Sequence, residues 1–68
     1  MIKLGLYRHF KGGMYRVLGT AEHTETGEQM VIYIALYGDG LMYVRPLIMF
    51  MELTQGEKLI PRFERVGN

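Results

Sequence analysis

Apolar residues along this chain come in short runs broken by glycine, with no sustained helical period. Glycine falls at Gly5, Gly12, Gly13, Gly19, Gly27, Gly38, Gly40, Gly56 and Gly67, and the stretches between are rich in Val, Ile, Tyr, Leu and Met. Short β-prone runs separated by glycine turns predict a small all-β barrel or sandwich. A first strand is read at Gly5–Phe10, followed by a Lys11-Gly12-Gly13 turn, since paired glycines supply the positive φ of a tight hairpin. The second strand, Met14–His23, alternates: Tyr15, Val17 and Ala21 share one face, and Met14, Arg16, Leu18 and Thr20 the other. Gly19 within it predicts a bend or bulge.

After a polar turn at residues 24–28, the run Gln29–Tyr37 is apolar on both faces, as in a strand covered on both sides, and its β-branched residues argue against a buried helix. Gly38-Asp39-Gly40 is the strongest hairpin signal. Leu41–Arg45 is the fourth strand, ended by Pro46, which has no N–H for the ladder. Beyond Pro46, the spacing of Leu47, Phe50 and Met51 predicts one or two helical turns, with a strand Met49–Leu53 as the alternative. Gln55-Gly56-Glu57 is read as a turn and Ile60–Val66 as the last strand, with Pro61 at an edge or an end. The expectation is a single domain over residues 1–68: a small SH3-like β-barrel of about five strands, with one short helical turn before the last. A cold-shock or OB-type barrel is the nearest competitor.

Composition narrows the chemistry. A chain of 68 residues buries roughly 60% of the surface that its unfolded form exposes, and such a core supplies about 3–5 kcal/mol. The sequence has no cysteine and no serine, which removes disulfides, thiolate metal sites and the two commonest nucleophiles. No apolar run reaches membrane-spanning length and no secretory leader is evident, so the expected compartment is the cytoplasm, with no membrane partner.

The formal net charge of +1 conceals a pattern: residues 1–16 carry +4, residues 17–44 carry −4 and residues 45–68 carry +1. Mixed, solvated surface charge accounts for this in most small domains. In an SH3-like barrel, however, the first and last strands pair, which would bring Arg8 and Lys11 beside Arg62 and Arg65. The basic ends would then merge into one patch, opposite the acidic Glu22–Glu28 turn.

A specific resemblance covers residues 5–63. It is carried by Gly5-Leu-Tyr-Arg-His-Phe-Lys-Gly-Gly-Met-Tyr-Arg-Val-Leu-Gly19, Ala21-Glu-His23 and Glu25. It continues in Val31, Tyr33, Leu36-Tyr37-Gly38-Asp39, Val44-Arg45-Pro46-Leu47, Met49-Phe50 and Pro61-Arg62-Phe63. These residues resemble a family of small bacterial proteins, domain-of-unknown-function family 1653. The resemblance implies an SH3-type barrel. It implies no activity and transfers no site residues, because the family's biochemical function is not established. The family pattern often has Trp before Val-Arg-Pro, where this chain has Tyr43; a ring able to stack is kept.

Candidate chemistry is sparse. His9 and His23 with Glu22 and Glu25 lack metal-site spacing, so no metal and no cofactor is expected. Asp39 reads as a turn residue, and Lys11-Gly12-Gly13 lacks the features of a phosphate-binding loop. Arg45 projects to a rim or, the favoured reading, pairs with Glu52. Most of the eight aromatic rings must be core; Tyr7 and Tyr37 are the candidates for the surface. The residues expected to touch a ligand are Tyr7, Arg8, His9, Lys11, Tyr37, Asp39, Arg45 and Arg62. The favoured function is a non-enzymatic binding module for a protein or peptide, acting as a monomer or as a homodimer through an exposed strand edge. The runner-up is single-stranded nucleic acid or RNA, bound through Tyr7, Arg8, Lys11, Arg62 and Arg65. An enzyme built on Arg45, His9 and Asp39 ranks third.

Overall fold

The structure is a computed structural model, which describes residues 2–54 and 59–68. The elements are β1 (Gly5–His9), β2 (Met14–Glu22), β3 (Gln29–Ala35), β4 (Met42–Pro46), α1 (Leu47–Phe50) and β5 (Phe63–Gly67). The strands form one five-stranded antiparallel sheet in the order β4-β3-β2-β1-β5. The domain is therefore all-β, with a short helix before the last strand. As expected, the first and last strands pair, with Arg8 opposite Glu64 and His9 opposite Phe63.

Two boundaries shift by more than one residue, for local reasons. β5 starts at Phe63 rather than Ile60, because Pro61 joins a separate antiparallel bridge with Leu53. That bridge is fastened by Thr54 N–H to Ile60 O and Arg62 N–H to Glu52 O, so this stretch has left the main ladder. β3 stops at Ala35, where the turn begins: Ala35 N–H reaches Leu41 O, and Gly38 and Gly40 take φ of 57° and 63°. After Pro46 the chain makes a single turn of helix, not a strand. Leu47 and Phe50 pack inward, but Met51 is exposed, so the apolar spacing there describes only that one turn. The turn expected at Gln55-Gly56-Glu57 lies outside the described residues.

Both mid-strand irregularities fall near glycine. The β2–β3 register slips between Val17 and Gly19, leaving Leu18 as the extra residue of a bulge beside the expected glycine. A second slip lies between β1 and β5 at Leu6/Tyr7. There Gly5 has φ 129°, and a Cβ on it would sit 2.6 Å from Gly67 O. Only glycine meets both demands.

The register assigns one face of the sheet to Tyr7 and His9, Tyr15 and Val17, Val31, Tyr33 and Ala35, Tyr43 and Arg45, and Phe63. This inner face forms the core where Phe50 caps it. Tyr7, Val17, Val31, Tyr33, Phe50 and Phe63 are buried together. Phe50 stacks on Phe63 at 4.1 Å and meets Tyr7 and Tyr33 edge-on. The helix covers only part of the inner face. The remainder, from His9 to Tyr43, is left open to solvent.

Candidate functional site

At that open end the side chains are rings and cations. Tyr15 projects from β2 into the middle of the group. Its ring lies 5.4 Å from Tyr33, 5.5 Å from Tyr37, 5.6 Å from Phe63 and 6.4 Å from both Tyr43 and His9, all edge-to-face. Tyr33 and Phe63 form the buried floor, while Tyr37 and Tyr43 are 51% and 39% exposed. The β3–β4 hairpin brings Tyr37 over β2, through a hydrogen bond from Leu36 N–H to Met14 O. The Tyr15 and Tyr37 hydroxyls share a hydrogen bond. That bond, with burial and the neighbouring phenols, pushes the Tyr15 hydroxyl up to about 12.

Arg45 follows Tyr43 on the same face of β4, and its guanidinium stands 5.7 Å from the centre of the Phe63 ring. The pairing expected between Arg45 and Glu52 does not form. Glu52 lies in the bridge segment beside Arg62 and binds it at 2.8 Å, whereas β4 carries Arg45 onto the inner face. Among the described residues Arg45 has no carboxylate partner. Arg62 gives one nitrogen to Glu52, and its buried Nε has no hydrogen-bond partner among the described residues.

His9 links these groups. Its ring packs edge-on against Phe63 at 4.9 Å and lies tilted against the exposed ring of Phe10 at 4.6 Å. Its Nδ1 accepts a hydrogen bond from Lys11 N–H, latching the β1–β2 turn. Burial holds the imidazole below its usual range, and the charges of Arg45, Arg62 and Lys11 add to this. His9 is thus partly desolvated, with cationic neighbours. On its other side a cleft of about 290 Å³ is lined by Arg8, Phe10, Pro61 and Glu64 among others. The Arg8 and Glu64 charges there already neutralise each other at 3.2 Å.

The expected site residues thus divide. Tyr37 and Arg45 stand at the open end, His9 lies at its edge with Lys11 in the adjoining turn, and Arg62 sits in the bridge segment on Glu52. Arg8 lies on the cleft side of His9, in its ion pair. Asp39 is exposed at the tip of the β3–β4 hairpin, where the flanking glycines carry the positive φ values. Tyr7 was expected at the surface but is in the core. It is 6% exposed because strand alternation places it between Gly5 and His9 on the inner face, and its hydroxyl donates to Lys3 O. Burial raises its pKa, partly offset by Arg65. The expected open basic patch is also not formed. Arg8 and Arg62 hold carboxylates, and Arg65 donates to Leu4 O and the Asn68 side chain.

His9 and His23 stand beyond opposite ends of β2, each accepting a backbone N–H two residues on, and do not share a site. The described residues hold no group of three metal-ligating side chains, and none of their helices is long and apolar enough to cross a membrane. Tyr15, Tyr43 and Phe10 belong to the open end but were not among the expected site residues. The signal for Tyr43 was its spacing of two from Arg45.

The family profile described as "Protein of unknown function (DUF1653)" matches residues 5–65. The chain belongs to the DUF1653 family. A solved crystal structure of a DUF1653 protein from Bordetella bronchiseptica is 42% identical and superposes with a TM-score of 0.88, over 97% of this chain and 88% of that one. No curated protein matches the chain. Membership in DUF1653 leaves the biochemical function unestablished.

Proposed function

We propose that this protein is a non-enzymatic binding module that seats a protein or peptide ligand on the open end of its inner sheet face. The observation that carries this reading is the exposure of Tyr37 and Tyr43 in a ring network anchored on Tyr15 and flanked by Arg45. Rings held by a buried floor lose little freedom on binding and offer apolar area with a polar tip, as in recognition surfaces rich in Tyr and Arg. The strand order, with first beside last and a helical turn between β4 and β5, supports an SH3-like barrel, a scaffold that binds peptides in aromatic-lined grooves. The cysteine-free composition is in keeping with a reducing compartment such as the cytoplasm.

The nucleic-acid reading has less support. Of its five residues, Tyr7 is buried and Arg8 and Arg62 are already ion-paired. A net charge of +1 offers few phosphate contacts. The test is selection of displayed random peptides on the immobilised protein. The reading expects enriched peptides whose affinity falls roughly tenfold or more on Tyr43→Ala or Tyr37→Ala, the loss of one well-packed contact residue. Enriched peptides indifferent to both substitutions would place binding elsewhere.

A further inference from the structure

The same surface carries information about the ligand's charge. An aromatic cluster alone suits a cation, which is drawn to ring faces. Here that outcome is opposed, because the protein's own cations already stand against rings of the cluster: the Arg45 guanidinium 5.7 Å from the centre of Phe63 and the Lys11 ammonium 5.7 Å from the centre of Phe10. Most cations nearby are already partnered: Arg8 by Glu64, Arg62 by Glu52 and Arg65 by Leu4 O and Asn68. Arg65 shares the inner face, opposite Tyr7, but its guanidinium is held by Leu4 O and Asn68. Arg45 has no carboxylate among the described residues, lies two residues from Tyr43 on that face, and stands 5.7 Å from the centre of the Phe63 ring. The Tyr15–Tyr37 pair adds donor capacity. One phenol donates to the other, and the accepting phenol keeps its own proton to give. A guanidinium without a carboxylate among the described residues, beside a spare O–H and exposed ring faces, is complementary to a carboxylate with a planar group next to it.

We infer that the open end of the inner face recognises an acidic side chain adjoining an aromatic one in a partner protein, with Arg45 taking the carboxylate and Tyr43 and Tyr37 taking the ring. This deepens the proposed function and rests on it. Arg45 is the residue that discriminates, and the rings supply affinity that does not depend on charge.

The test is an amide NMR titration of the full chain with two matched dipeptides, acetyl-Glu-Phe-amide and acetyl-Gln-Phe-amide, which differ only in the carboxylate. Both should shift amides around Tyr15, Tyr37 and Tyr43. The Glu peptide should bind roughly tenfold more tightly, the value of one charge-assisted hydrogen bond pair. Arg45→Gln, its fold checked by amide dispersion, should erase that difference, so that the variant binds the two peptides with equal affinity. Should this variant fail to fold, the two peptides on the wild-type chain still decide. Equal affinity for the two peptides would overturn the inference and leave the aromatic binding surface standing. Tighter binding of acetyl-Gln-Phe with a free C-terminus would overturn the side-chain assignment, and tighter binding of uridine monophosphate would favour a nucleic-acid ligand. No shift at these tyrosines with either dipeptide would sink both the inference and the site.

Discussion

Phe50 is where the helix after β4 holds the sheet. Its ring is 1% exposed, stacks on Phe63 at 4.1 Å with planes 6° apart, and meets Tyr33 at 5.3 Å and Tyr7 at 5.5 Å. Truncating a buried Phe to Ala costs about 3–5 kcal/mol, from lost transfer energy and the cavity left behind. A domain of this length has about that much in total, so Phe50→Ala is expected to be largely unfolded at room temperature. Phe50→Leu keeps most of the volume and loses the ring geometry, a cost of about 1–2 kcal/mol. Urea unfolding followed by far-UV circular dichroism reads both. At a slope of about 1 kcal/mol per molar urea for a small domain, Phe50→Leu should lower the midpoint by about 1–2 M. The folded baseline of Phe50→Ala should disappear. If Phe50→Ala unfolds cooperatively with a loss under about 1 kcal/mol, α1 is not docked on the inner face, and the division into a capped core and an open end is wrong.

Other expectations follow from named contacts. His9 should titrate below the usual 6.5 in an imidazole NMR titration, and Arg45→Gln should move its midpoint upward; a wild-type midpoint above 6.5 would contradict its burial beside cationic neighbours. Because folding opposes protonation of His9, its contribution to stability is present above 6.5 and is lost as pH falls from there through the lower folded midpoint. His9→Gln should reduce that slope. In an alkaline ultraviolet titration, one phenol should ionise near 12, and Tyr37→Phe should bring it down by removing the shared hydrogen bond. That pKa is raised in the folded state, so the stability it represents is present below 10 and is lost as pH rises through about 12. Gly5→Ala forces a Cβ to 2.6 Å from Gly67 O at φ 129°, and should cost about 1–3 kcal/mol in the same urea assay. A neutral result would mean that the β1–β5 join is looser than described.

Much of the architecture was legible because it rests on local rules. Glycine turns and β-branched runs located all five strands, and alternation put Tyr15 and Val17 on a common face. It misplaced Ala21 and Thr20: the extra residue at Leu18 reverses the alternation, so Thr20 lies opposite Val31 on the inner face and Ala21 on the outer. The proline that closes β4 marked the helical turn. What failed depended on tertiary neighbours. Tyr7 was expected outside because Arg8 follows it, yet alternation sends adjacent residues to opposite faces, and it lies in the core. Arg45 was expected to pair with Glu52, but the Leu53–Pro61 bridge brings Arg62 to that carboxylate first. The basic patch needed charges to be both adjacent and unpaired; strand pairing supplied adjacency, and the acids interleaved along β5 and its approach removed the rest. The open aromatic end depends on how far one turn of helix extends over the sheet, a quantity that local periodicity does not contain.

The central claim is that the surface around Tyr15, Tyr37, Tyr43 and Arg45 is where this protein meets its partner. The most direct test is backbone amide shift mapping with the tightest peptide from the display selection, alongside short RNA and DNA pools at low and moderate salt. The account predicts peptide-induced shifts concentrated in residues 9–15, 33–45 and 62–63, little changed by salt, with neither nucleic-acid pool producing a comparable set. Salt-sensitive shifts with the nucleic-acid pools, or peptide shifts confined to the outer face at Leu18, Ile32 and Val44, would contradict it.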